Sequence, residues 1–371
     1  MIDLRGQYNT ARVFSDNVEE EAISQIIKLC NQEAFKGKKV RIMPDVHAGK
    51  GCVIGFTAEL GERVIPNLIG VDIGCGMLTT NLGKGHIDFE KLDDFIRHNI
   101  PHGFRKYKSA QAKNLPKSFV KQLGATCKQL GLEYHEQLLS IGTLGGGNHF
   151  IEVNEDSQGY KWLVIHSGSR HFGLEVATLH QQEATKRCRQ TGVDVPADLS
   201  FLEGISKEIY FDHMRVAQEY AVLNRRYMTE KILHFLEGQN PFVQFETVHN
   251  YINFNDKVIR KGAISAHKGE QLLIPLNMRD GSIIAVGKGN GDWNSSAPHG
   301  AGRKYSRHKA KKIISLDEFR DVMQGVWTTS ISRHTLDEAP QAYKPADEII
   351  RQVESTVEIV DVIKPLYNFK A

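Results

Sequence analysis

The sequence predicts an α+β protein. Short apolar runs broken by glycine recur along the chain, and stretches of helical period lie between them. The two do not alternate in the regular βαβ order of a doubly wound sheet. In chain order, Asn17 to Lys36 reads as a first helix. Asn17 can cap it, Glu19, Glu20 and Glu21 suit its positive N-terminal end, and Ile23, Ile26, Ile27 and Cys30 form an apolar stripe. From Val40 to Leu82 apolar runs and glycines alternate, the pattern of strands joined by tight turns. Residues 88–139 read as largely helical, with a basic loop at Arg105-Lys106-Tyr107-Lys108. A second glycine-rich β block spans Ile141 to Gly173, and helices follow over 174–190 and 205–237. Val243 to Gly289 returns to strand and turn. A helix near 346–354 precedes a last strand, Val357 to Ile363, expected to stop before Lys364-Pro365. No repeat, low-complexity tract or long linker divides the chain, so a single catalytic domain over 1–371 is expected.

Bulk properties suit a soluble enzyme. Hydrophobic residues make up 40% and charged residues 25% of the chain, ordinary values for a globular protein. Lys and Arg total 47 against 44 Asp and Glu, so any nucleic-acid surface has to be a local patch. The N-terminal Met1-Ile2-Asp3-Leu4-Arg5 has no apolar leader core, and no apolar run reaches membrane-spanning length. Cys30, Cys52, Cys75, Cys127 and Cys188 are odd in number and form no CxxC pair, so a reducing, cytoplasmic setting is expected. Sixteen histidines direct attention to metal ligation.

Ligand-type side chains sit inside the glycine-rich turns. Gly70-Val71-Asp72-Ile73-Gly74-Cys75-Gly76 sets a carboxylate and a thiol three residues apart, between glycines that let both face one point. The plain alternative is an inert buried Cys beside a turn-fixing Asp. His149 follows Gly145-Gly146-Gly147-Asn148 at the entry to the apolar Phe150–Val153, and His166 ends another apolar run, with Arg170 four residues on. His249 follows the strand-like Phe242–Val248. Each alone reads more often as a satisfied structural histidine. Together they point to a metal centre, and the donor set suits Mn, Zn, Co or Ni.

The densest segment runs from Gly287-Lys288-Gly289-Asn290 to Pro298-His299-Gly300-Ala301-Gly302-Arg303-Lys304-Tyr305-Ser306-Arg307. The glycines leave room for a phosphate, and Arg303 and Arg307 could share a helix face beside it. The Gly-x-Gly elements match neither a Walker loop nor a dinucleotide fingerprint.

Met43-Pro44-Asp45-Val46-His47-Ala48-Gly49-Lys50-Gly51, with the segments 71–77, 142–153, 166–170, 224–227, 260–263 and 299–307, resembles in order the motifs of the RtcB-type RNA ligases. The resemblance runs from the N-terminus to Lys370. It implies the family's α+β architecture, with β-sheets around a deep metal-bearing cleft flanked by helices. It implies an RNA ligase of tRNA splicing and RNA repair. Such an enzyme joins 2′,3′-cyclic phosphate or 3′-phosphate ends to 5′-hydroxyl ends, using GTP and Mn²⁺ through a histidine-linked GMP. On this sequence, Asp72, Cys75, His149, His166 and His249 would hold two Mn²⁺ ions, with Cys75 bridging them. His299 would be the nucleophile, with Asp45 and Lys370 beside the reacting groups. Asn148, Glu152, Tyr343 and Lys370 would surround the guanylate, Glu152 reading the guanine edge. Gly300, Ala301, Gly302, Arg303 and Asn277 would complete the nucleotide site, and Arg170 would meet RNA or nucleotide phosphate.

One segment departs from the family. Pro275-Leu276-Asn277-Met278 has Leu-Asn where relatives usually carry Gly-Ser, which bears on how sharply guanine is preferred. Two other readings share most of these residues: a metal-dependent cyclic phosphodiesterase that does not use His299, and a non-catalytic RNA-end binding protein.

Overall fold

Short, largely buried strands build two large sheets, and residues from both line one cavity. The computed structural model describes residues 1–110, 115–236 and 243–370. One sheet has six strands, in spatial order Ile2–Arg5, Thr10–Val13, Val40–His47, Ile54–Glu59, Val258–Lys261 and Asn250–Asn253. The other has seven, all antiparallel: Gln271–Asn277, Gly281–Gly287, Val357–Lys370, Phe150–Glu155, Lys161–Ser167, Gly76–Gly83 and Gln244–Val248. A two-stranded ribbon, Ala263–Ser265 with Ser296–Pro298, lies between them. The protein is α+β, as the irregular order of strands and helices implied.

Each sheet buries one face against helices. Ile151, Val153, Leu163, Ile165 and Phe369 of the seven-stranded sheet share a core with Leu92 and Ile96 of helix Phe89–Asn99 and with Met228 and Ile232 of helix Gly204–Phe235. Val40, Ile42 and Phe56 of the six-stranded sheet share another with Ile26 and Leu29 of helix Glu20–Cys30, and Phe172 of helix Arg170–Gln190 belongs to it too. Among the described residues no helix is long and apolar enough to cross a membrane.

Four expectations need correction. The first helix is Glu20–Cys30, and its cap position is Glu19, not Asn17. It stops early because Cys30 O accepts hydrogen bonds from Tyr8 N (3.0 Å) and Asn9 N (3.1 Å) instead of continuing the helical ladder. The stretch 88–139 breaks into Phe89–Asn99, Lys117–Leu130 and Tyr134–Leu138. The helix expected from 174 starts at Arg170, whose φ of +58° is the left-handed region that a side chain rarely adopts. The last strand runs through Pro365 to Lys370. It pairs with Gly281–Gly287 up to Ile363 and with Phe150–Glu155 from Lys364 onward, and a bulge at 365–367 accommodates the proline that has no N–H to give. Residue 237, the expected end of the long helix, and Phe242 lie outside the described residues.

Candidate active site

Strand register assembles the site from distant parts of the sequence. Across the seven-stranded sheet Met77 pairs with His166, His166 with Phe150, and Phe150 with Lys370. Two residues along, Val164 pairs with Glu152 and Glu152 with Asn368. Side chains alternate faces, so His166, Glu152 and Lys370 share the surface opposite the helix-packed core. Cys75 immediately precedes one strand of this sheet and His249 immediately follows another, and His249 N donates to Cys75 O at 2.9 Å.

Two neighbouring residues of the long helix hold these turns in place. Arg225 is fully buried; it donates to Gly74 O and Ser167 O, both at 2.8 Å, and to Glu246 at 2.6 and 2.9 Å. Asn224 accepts from Gly142 N at 2.7 Å and donates to Gly168 O at 3.1 Å. Glycine is required at two contacts here. A Cβ on Gly168 would lie 2.1 Å from the Asp72 carboxylate, and one on Gly145 (φ +85°) would lie 2.0 Å from the Arg170 guanidinium.

The expected ligands form two triads that share Cys75. Cys75, His166 and His249 make one, and Asp72, Cys75 and His149 the other, with the ligand atoms of each triad within 4.8 Å of one another. Nδ1 of His149 is turned to Leu144 O (2.8 Å) and Nδ1 of His166 to Asn148 O (3.1 Å), which presents both Nε2 atoms inward. The His166 Nε2 then lies 3.1 Å from His249 Nε2 and 3.3 Å from Cys75 Sγ. Burial pushes His166 and His249 well below the ordinary imidazole range, with His149 adding to it for the first and His299 for the second. Burial also holds the Cys75 thiol well above its ordinary range. Imidazoles, a thiol and a carboxylate converging in pairs across 3 to 3.5 Å suit borderline divalent cations.

His299 stands against this cluster, its ring 4.9 Å from that of His249. Its Nδ1 lies 2.5 Å from Oδ2 of Asp45, which is fully buried, and its Nε2 is left for the cavity. That cavity, of about 250 Å³, is lined by Asn148, Glu152, Asn277, Arg303, Tyr343 and Lys370, with His166, His249 and the loop His299–Gly302. Asp45, Asp72, Cys75 and His149 are not among its lining residues. Burial pushes Glu152 up to about 7 despite a 2.6 Å hydrogen bond from Asn368 Nδ2.

Some side chains serve differently from the sequence expectation. Arg303 and Arg307 do not share a helix face: a helix starts at Arg307, capped by Ser306, and Arg303 lies before it beyond a left-handed Gly302. Both reach Glu338, which also receives Tyr343 OH (2.7 Å) and Lys370 Nζ. Burial works against ionising Glu338, but Lys370 and Arg307 outweigh it and hold it down to about 2. Glu338 has no sequence signal beyond its neighbour Asp337, and sequence reasoning missed it. Leu276 is buried beside Ala301 and lines the cavity. Asn277 reaches the cavity wall, but its amide binds Arg279 N, Asp280 N and Asp280 Oδ2 at 2.8 to 3.0 Å, closing a turn. Arg170 lies behind His149, its Nε bonded to Thr143 Oγ1 at 3.2 Å.

The family model described as tRNA-splicing ligase RtcB matches residues 27–138 and 130–371. The chain belongs to the RtcB family. It is 33% identical over 390 residues to the RNA-splicing ligase RtcB of Escherichia coli (strain K12), covering 95% of each chain. It is 27% identical to the tRNA-splicing ligase RtcB of Nanoarchaeum equitans (strain Kin4-M), covering 85% of this chain and 84% of that one.

Proposed function

We propose that this protein is an RNA ligase that joins RNA 2′,3′-cyclic phosphate or 3′-phosphate ends to 5′-hydroxyl ends, using GTP and two Mn²⁺ ions through a histidine–GMP intermediate. Residues 1–371 would act as one catalytic unit in a reducing, cytoplasmic setting, which fits five free cysteines that are all buried. The observation that carries the reading is the Asp45–His299 pair, opening on a cavity beside the two triads.

The buried Asp45 carboxylate holds the proton of His299 on Nδ1, so Nε2 keeps its lone pair for attack. Nε2 attacks the α-phosphorus of GTP; the new N–P bond forms as the bond to pyrophosphate breaks. Glu152 accepts from the guanine edge, and Asn148, Tyr343 and Lys370 close around the guanylate. The loop Gly300–Gly302 gives the phosphates room, with Arg303 and Asn277 on the cavity wall. The GMP passes to an RNA 3′-phosphate, a cyclic end having first been opened by water. The 5′-hydroxyl oxygen then attacks that phosphorus and GMP leaves. Asp72, Cys75 and His149 would hold one ion, and Cys75, His166 and His249 the other. Bound there, the ions neutralise phosphate charge and orient in-line attack. Arg170 would meet RNA or nucleotide phosphate.

Incubation with labelled GTP and Mn²⁺ tests the reading. An acid-labile, alkali-stable label on the wild type and none on His299→Ala supports it. Label on His299→Ala, or none on either protein, overturns it.

A further inference from the structure

Helix Arg170–Gln190 leaves the candidate site at Arg170 and forms one wall of a second hollow. This groove, of about 570 Å³, runs between the helix and the turns at Lys50, Asn67 and Val71. It begins beside the candidate metal centre, since Val71 is the chain neighbour of Asp72 and Lys50 lies three residues after the cavity-lining His47. Its walls are fixed by hydrogen bonds. Gln181 accepts from Asn67 N (3.1 Å) and donates to Ala197 O (2.8 Å), while Asn67 Nδ2 donates to Asp198 O (3.0 Å). The buried Lys261 Nζ holds Lys50 O at 2.6 Å.

The charges are not spent in the same way. Lys50, Lys186 and Arg189 line the groove, are exposed, and have no ion-pair partner among the described residues. On the same helix Arg187 points elsewhere and pairs with Glu183 at 2.6 Å. Asp198, also exposed, is the only acidic side chain among the lining residues.

We infer that this groove is a track for the sugar–phosphate backbone of an RNA strand whose end lies at the metal centre, an inference that rests on the ligase reading. Unpaired cations and the exposed amides of Gln182 and Gln190 suit phosphates and 2′-hydroxyls. Among the described residues no aromatic side chain lines the groove, so bases are not stacked there and binding tolerates any sequence. From Ala177 to Gln190 the helix extends about 20 Å, room for a few nucleotides beyond the reacting end.

The test is the double variant Lys186→Glu/Arg189→Glu, with Lys186→Arg/Arg189→Lys as the charge-preserving control. Fluorescent oligouridylates of increasing length, bearing either a 3′-phosphate or a 5′-hydroxyl end, are titrated without nucleotide at several salt concentrations. Self-guanylylation without RNA is measured in parallel. The expected result is about tenfold weaker binding of the longer strands of at least one end type, with the salt slope shallower by about 1.4, as for two lost single-strand phosphate contacts. The shortest strands and self-guanylylation stay within about twofold of wild type, and the control binds as wild type. Equal losses at every length, or none, overturn the groove assignment. Failure of wild-type guanylylation would instead overturn the ligase reading, while the length dependence still decides the groove.

Discussion

Oδ2 of Asp45 and Nδ1 of His299 meet at 2.5 Å across 254 positions of sequence. The same oxygen accepts His299 N at 3.2 Å, so one carboxylate oxygen fixes both the backbone and the ring of the histidine. Asp45→Asn keeps the shape but can present an N–H to Nδ1, favouring the tautomer with its proton on Nε2. Labelling of His299 from GTP is expected to slow by about 10³- to 10⁴-fold, with metal content unchanged. Single-turnover labelling with metal analysis checks this; a loss under tenfold would remove Asp45 from the orienting role.

Cys75 belongs to both triads, so its loss should disturb both ions. Cys75→Ser is expected to lower bound metal further than His149→Ala or His166→Ala, because a neutral hydroxyl is a poor substitute for a bridging thiolate. Metal-to-protein ratios after dialysis decide it. Two ions retained by Cys75→Ser would rule out the bridge.

Glu152 has a direction of pH dependence built in. Its folded pKa of about 7 lies above the ordinary 4.5, so the folded protein keeps a proton that the unfolded chain has lost. Nucleotide-free stability should therefore fall as pH rises from about 4.5 to 7, by roughly 3 kcal/mol, and level off above. Glu152→Gln should abolish that contribution and cut the preference for GTP over ATP by about tenfold to a hundredfold. Denaturant titrations across pH, and labelling with each nucleotide, measure the two effects separately.

His180 gives the opposite slope. It is buried between helices with its Nε2 2.9 Å from His213 Nδ1, and burial, aided by His213, lowers it to about 4. The folded state resists a proton that the unfolded chain accepts near 6.5. Its contribution is present above pH 6.5 and is lost as pH falls towards 4, by roughly 3 kcal/mol. His180→Gln should flatten this acid limb of the denaturant midpoint; an unchanged limb would mean that other groups set it.

The ligand-type residues were legible because their chemistry is local: a thiol, a carboxylate or an imidazole beside glycines marks itself. The α+β class was legible for a similar reason, since each element carries its own periodicity. What stayed hidden depends on contacts between distant segments. Glu338 becomes central only because Lys370 and Arg307 arrive beside it, and neither is near it in sequence. Nothing in the helical pattern of 205–237 reveals that Asn224 and Arg225 are both fully buried and tie down the turns around Cys75 and His166. Asn277 lines the cavity, and its amide is also engaged in its own turn with Asp280. Pro365 suggested a strand end because sequence does not reveal where a strand changes neighbours.

That change of neighbours has a kinetic consequence. Residues 364–370 reach back to Phe150–Glu155, and the Asn368–Glu152 bond closes a loop of 216 positions. Closing so long a loop is entropically costly and slow, so the pairing is expected among the late events of folding. The segments that carry Asp72, Cys75, His149, His166 and His249 all lie upstream of this strand and do not wait for it. A ribosome that stalled before residue 357 would release a chain holding every candidate metal ligand and no finished wall around Glu152.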